Sequence, residues 1–107
     1  MKTTKSSKTF TAKLELGHKG CAVIVPFDPG VAWGTRPVRI PHPRYRTGHL
    51  VKGTIDGVAF DGFIGYRWGR FFILVDEDVR RAAGAEPGDE VDVVIEPHAP
   101  PDVTGAR

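Results

Sequence analysis

The chain has 107 residues, with 15 Lys plus Arg against 13 Asp plus Glu and 40 % hydrophobic residues, so it has the composition of one globular domain with a single core and a formal charge of only +2. No apolar run reaches the roughly 18 residues a bilayer span needs, and no basic start leads into an apolar signal stretch, so a cytoplasmic protein without membrane association is expected. Cys21 is the lone cysteine, which excludes an intramolecular disulfide framework and a Cys-based zinc cluster.

Residues 1–9 hold three Lys and no acid and are expected to be a flexible arm, leaving a single β-domain over 10–96. Phe10, Ala12, Leu14 and Leu16 alternate with Thr11, Lys13 and Glu15, the period of one strand buried on one face. Gly17 to Gly20 supply a turn, and Cys21 to Val25 form a short apolar run suited to a barrel stave, with Cys21 as a small inert core residue. Val51 to Ile55 and Val58 to Phe60 flank Asp56-Gly57, the dipeptide that best tolerates the two positive φ values of a type I′ hairpin. Arg70 to Val75 is a further strand, entered through Gly69. A helix near 76–84 follows: Asp76 suits its N-cap, Glu77 and Asp78 its positive end, Arg80 and Arg81 its negative end, and Gly84 a left-handed C-cap. Pro87-Gly88 fits the centre of a type II turn into a last strand carrying Val91, Val93 and Ile95, and 97–107 is expected to be a loose tail. These elements predict an all-β fold: a small closed or partly open β-barrel of about six strands with one short helix.

A faint internal duplication overlies this order. Val23-Ile24-Val25, Asp28-Pro29-Gly30-Val31 and Gly34 resemble Ile73-Leu74-Val75, Asp76-Glu77-Asp78-Val79 and Gly84, and the strands Pro37 to Ile40 and Glu90 to Val93 follow them. Each half reads as strand, Asp cap, short turn or helix, glycine and strand, although short strands and turns also look alike by chance.

Charge is distributed unevenly. Residues 1–52 hold ten Lys or Arg against two acids, and 53–107 hold five against eleven, which gives +8 and −6. Arg36, Arg39, Arg44, Arg46 and Lys52, with Tyr45 as a stacking face, form a basic stretch able to engage phosphates, and nucleic acid is one alternative partner. The other reading is that this stretch pairs with the acidic 76–96 segment across the barrel, or is a solvated loop.

Reactive constellations are sparse. His18, His42, His49 and His98 lack metal-ligand spacing, Ser6 and Ser7 are the only serines and lie in the arm, and neither phosphate-loop pattern occurs, so no catalytic residue, metal or cofactor is expected. Trp33 with Arg36, and Tyr66, Arg67, Trp68 and Arg70 in one turn, combine stacking faces with bidentate cations, a surface for an anionic small molecule or a protein partner. The same cluster also suits a structural plug at a barrel end. A third reading, a small enzyme, would use Asp61 or His49 as general base in the barrel mouth.

The segments F-T-A-K-L-E from Phe10, Val23 to Gly34, Val51 to Phe60 and Gly69 to Val93 together resemble the bacterial DUF1905 family, a small β-barrel domain of unknown function often fused to a YdeI/OmpD-associated module. The last segment is also similar to the half-barrel of AbrB- and MazE-type regulators, where two chains build one barrel, so a fused single-chain barrel and DNA binding are what that likeness implies. The family resemblance implies a fold and supplies no catalytic residues. A chain stopping at Arg107 leaves no room for the fused module, and the leading expectation is a non-enzymatic binding or accessory module.

Overall fold

The computed structural model describes residues 7–17, 20–42, 45–67 and 69–98, and the chain there forms eight strands and two short helices. In chain order these are β1 (Lys8–Lys13), β2 (Glu15–Gly17), β3 (Gly20–Val25), α1 (Pro29–Trp33), β4 (Val38–Arg39), β5 (Thr47–Ile55), β6 (Val58–Arg67), β7 (Arg70–Val75), α2 (Glu77–Ala83) and β8 (Glu90–Pro97). Neither helix is long and apolar enough to cross a membrane. The domain is the all-β, barrel-like fold that the alternation and turns predict.

One curled sheet runs in the order β1-β8-β5-β6-β7-β3-β2, with β4 added on β5, and all its pairings are antiparallel. Its outermost strands, β1 and β2, are consecutive in the chain and joined by Leu14 alone. The expected single strand over 10–16 is therefore broken at Leu14: before it the chain pairs with β8, after it with β3. Leu14 is almost fully buried, its N–H donates to the Asp89 carbonyl at 2.8 Å, and its carbonyl accepts from Gly88 N–H at 2.7 Å. This change of partner curls the sheet until its two edges adjoin. The break at Leu14, which does not alter the hydrophobic period, and the short β4, inside the strand read at Pro37 to Ile40 in the duplication, bring the six strands expected to eight.

Local rules built the turns as expected. Asp56 and Gly57 have φ of 48° and 82°, the two positive values of the I′ hairpin. Gly88 has φ 100° and Asp89 N–H donates to the Glu86 carbonyl at 2.9 Å, closing the turn around Pro87-Gly88. Gly84 ends α2 in the left-handed conformation. Asp76 sits at the N-cap of α2 without bonding through its side chain, whereas the Asp28 carboxylate accepts from Gly30 and Val31 N–H and starts α1. That second helix escapes a reading by period because five residues are too few to show one.

The two halves of the suspected duplication adopt the same succession. β3 pairs with β7, each leads into a short helix closed by a left-handed glycine, and the strands that follow, β4 and β8, both pair with β5. Pairing also reaches past 10–96 at both ends: Lys8 and Thr9 face Ile95 and Val94, and His98 N–H donates to the Leu50 carbonyl. Residues 1–6 of the expected arm and 99–107 of the expected tail lie outside the described residues.

The core is the inner face of the curl. Val23, Val51, Ile64, Ile73, Val93 and Ile95 are fully buried, Cys21 lies among them, and no polar side chain among the described residues is buried with them. Each such aliphatic side chain contributes about 1.5–3 kcal/mol on burial, so the barrel is held by packing with no cross-link.

Candidate functional site

Strand direction decides which residues share an end of the barrel. β5 starts at Thr47 and leaves at Ile55, so its antiparallel neighbours bring the end of β6 and the end of β8 to the Thr47 side, and with them the starts of β7 and β1. Lys8, Arg36, Arg39, Arg46, Arg67 and Arg70 are thereby collected at that end, around α1 and β4. The opposite end carries the Asp56 turn, Glu77 and Asp78 on α2, and Glu86, Asp89 and Glu90 on the turn into β8. The linear charge asymmetry thus becomes a basic end and an acidic end.

The expected pairing of the basic stretch with the acidic 76–96 segment occurs, among the described residues, at Lys52 and Glu96 alone. Among the described residues, the ion pairs of the acidic segment are Arg80 with Glu77 and Glu86, Arg81 with Glu77, and Lys52 with Glu96 at 3.7 Å. None involves Arg36, Arg39, Arg46 or Arg70, because most of the acids lie at the other end of the barrel. Lys52 projects from the middle of β5 beside Glu96. Arg44 and Trp68 lie outside the described residues.

The remaining site residues divide between plug and surface. Phe10, Phe27 and Trp33 meet edge to face, with centroids 6.1 and 5.2 Å apart, and pack on the core; Trp33 is half-buried. Tyr66 is 61 % exposed and meets the Phe71 ring at a tilt, with centroids 4.6 Å apart, next to the cross-strand pair Arg67 and Arg70. Val31 on α1 is 83 % exposed at the same end. Of the set proposed from the sequence, Arg36, Tyr66, Arg67 and Arg70 are exposed, and Trp33 is half-buried.

His49 and Asp61 do not come together. Alternation on β5 and β6 turns His49 to the inner face and Asp61 to the outer, where His98 Nδ1 is 4.0 Å away. The His49 Nδ1 shares a hydrogen bond of 2.8 Å with the Thr35 hydroxyl, and partial burial holds its pKa below the usual 6.5, with Asp28 acting weakly the other way. Unfolding therefore binds a proton as pH falls below 6.5, and stability drops with it. A His49→Gln variant is expected to flatten that acid-side fall while leaving stability above 6.5 nearly unchanged; equal slopes in urea titrations at several pH values would refute the linkage.

A second aromatic group, not anticipated from the sequence as a unit, lies on the outer face of the same end. Tyr45 is ringed by His42, Phe63 and Phe72 at 5.2, 5.9 and 5.4 Å, and Arg67 Nη1 donates to the Tyr45 hydroxyl at 3.3 Å. The available signal was glycine inside strands: a Cβ at Gly48 would lie 2.6 Å from Phe63 Cδ1, and one at Gly65 2.8 Å from Phe72 Cζ. These glycines let the two rings lie against the sheet.

No three His, Cys, Asp or Glu side chains converge among the described residues. An open depression of about 360 Å³, lined by Lys52, Thr54, Ala59, Phe60, Asp61 and Glu96, has mixed charge and lies away from the basic end. A family model described as Domain of unknown function (DUF1905) matches residues 10–95. No curated protein matches the chain.

Proposed function

Because the chain belongs to the DUF1905 family, whose description names no activity, we propose its function from the geometry: a non-catalytic binding module that takes an anionic partner on its basic end. The observation that carries this reading is the gathering of Arg36, Arg39, Arg46 and Arg70 at one end, with no ion pair to any described acid. One sign of charge concentrated in this way attracts the opposite sign, and guanidinium groups add bidentate geometry. Tyr66 offers a ring beside them.

Replacing Arg36, Arg39 and Arg46 together by alanine is expected to change stability by no more than about 0.5 kcal/mol per site, since all three are exposed. Affinity for a sulfated oligosaccharide at low salt should fall at least about tenfold. Calorimetric titration checks this, and wild-type protein that binds no polyanion at roughly 100 µM would overturn the reading.

The nucleic-acid reading draws on the same end through Arg36, Arg39 and Arg46, without Lys52. It is separated by duplex DNA in a mobility-shift titration, where log affinity should fall with log salt by about 0.9 for each arginine engaged. A salt-insensitive or absent complex removes it and leaves a smaller anionic partner.

A further inference from the structure

Each rim of the barrel combines charge of one sign with exposed apolar surface. At the end where β5 begins, Arg36, Arg39, Arg46 and Arg70 are exposed, and so are Val31 on α1 and Tyr66 near the end of β6. Asp28 lies at this end too, with its carboxylate engaged by the N–H groups of Gly30 and Val31. At the opposite end Leu16 is exposed: it is in register with Cys21, and Cys21 with Val75, the last residue of β7 before α2. That end carries Asp76, Glu77 and Asp78 at the start of α2, and Glu86, Asp89 and Glu90 where β8 begins, all exposed. Its described cations are Lys13, which faces Glu90 across the strands, and Arg80 and Arg81, which pair with Glu77, Arg80 also with Glu86. Acids remain in excess.

Such a rim repels its like and attracts its opposite, and the field between unlike rims orients two molecules before they touch. Charge sets the orientation and the encounter rate, whereas Val31, Tyr66 and Leu16 supply apolar area to bury once the rims meet. The rims belong to one curled sheet, so their widths match. We infer that the acidic rim of one copy of this chain docks on the basic rim of the next, head to tail. The inference rests on the basic end being an anion-binding face and names the anionic partner as a second copy. The two surfaces differ, so the contact is heterologous: every assembly keeps one free rim of each sign, and growth does not stop at a dimer. Rims of so small a domain bury little area, which places the contact in the weak, reversible class.

Sedimentation equilibrium of the full chain in roughly 20 mM salt should give an average mass that climbs past the dimer between about 10 µM and 1 mM protein. It should return to the monomer by about 500 mM salt, where charges more than roughly 4 Å apart are screened. Arg36→Glu with Arg39→Glu removes the basic rim, and Asp78→Lys with Glu86→Lys removes the acidic one, leaving Arg80 its pair with Glu77. Each double variant alone should associate at least about tenfold more weakly than the wild type. Mixed in equal amounts they retain one intact contact between them and should form a one-to-one complex that grows no further. Leu16→Asn keeps every charge and should weaken wild-type assembly at least about threefold. If either double variant melts early, the salt dependence and Leu16→Asn decide the outcome. Wild-type protein that stays monomeric at about 1 mM in low salt, a mass that levels off at the dimer, or folded variants that do not combine would overturn head-to-tail docking. Monomeric protein that still binds a sulfated oligosaccharide would leave the basic-end reading standing, and protein that binds no polyanion would overturn both.

Discussion

A Gly53→Ala variant is expected to lose about 3 kcal/mol or more of stability, a drop of roughly 12–24 °C in Tm for a domain of this size. Gly53 lies in the centre of β5 and is in register with Phe60 on one side and Ile95 on the other. A methyl group there would fall inside the radius of the Val94 carbonyl oxygen and 2.8 Å from Ile95 Cα, so the obstruction is backbone that belongs to the sheet itself. Relief would require β5 and β8 to separate where the curl is held. Gly62→Ala provides the contrast: its added carbon would meet the Phe60 ring at 3.3 Å, a side chain able to yield, and Ile73 Cγ2 at an ordinary 4.0 Å, and should cost under about 1 kcal/mol. Urea unfolding of both variants checks the pair, and equal midpoints would show that β5 can move away from β8 at little cost.

Leu14→Ala is expected to cost about 2–5 kcal/mol, the range for truncating a buried leucine. The residue packs in the core at the point where the chain leaves β8 for β3, and the bonds from its backbone to Gly88 and Asp89 tie that corner to the turn before β8. Loss of the side chain opens a cavity where the two edges of the sheet adjoin, so the surroundings cannot collapse into it without opening the curl. Leu16, two residues on and 70 % exposed, should tolerate alanine within about 0.5 kcal/mol. Thermal melts separate these outcomes: comparable losses at both positions would mean that the corner carries no special burden.

Both variants act on the scaffold and not on the basic end. Arg36, Arg39, Arg46 and Arg70 are exposed and stand on strands or loops whose pairing does not use their side chains. The barrel can therefore vary its charged end with little effect on its core, which is why binding and stability are expected to respond to different substitutions.

Much of the fold was legible because its determinants are local. The alternation from Phe10, the Asp56-Gly57 hairpin, the Pro87-Gly88 turn and the Gly84 cap each depend on neighbours a few residues away, and the chain carries that information directly. The charge asymmetry was legible as a count, and so were most of the arginines of the proposed surface. Tertiary structure alone decided the rest: that the first strand changes partner at Leu14, that Lys52 pairs with Glu96, that Trp33 meets Phe27 edge to face, and that Tyr45 reaches Arg67 across 22 positions. The reason is physical, since hydrophobic period and turn chemistry constrain a residue's face and its immediate neighbours, whereas strand order and curvature determine which distant side chains meet, and those appear only when the sheet closes on itself.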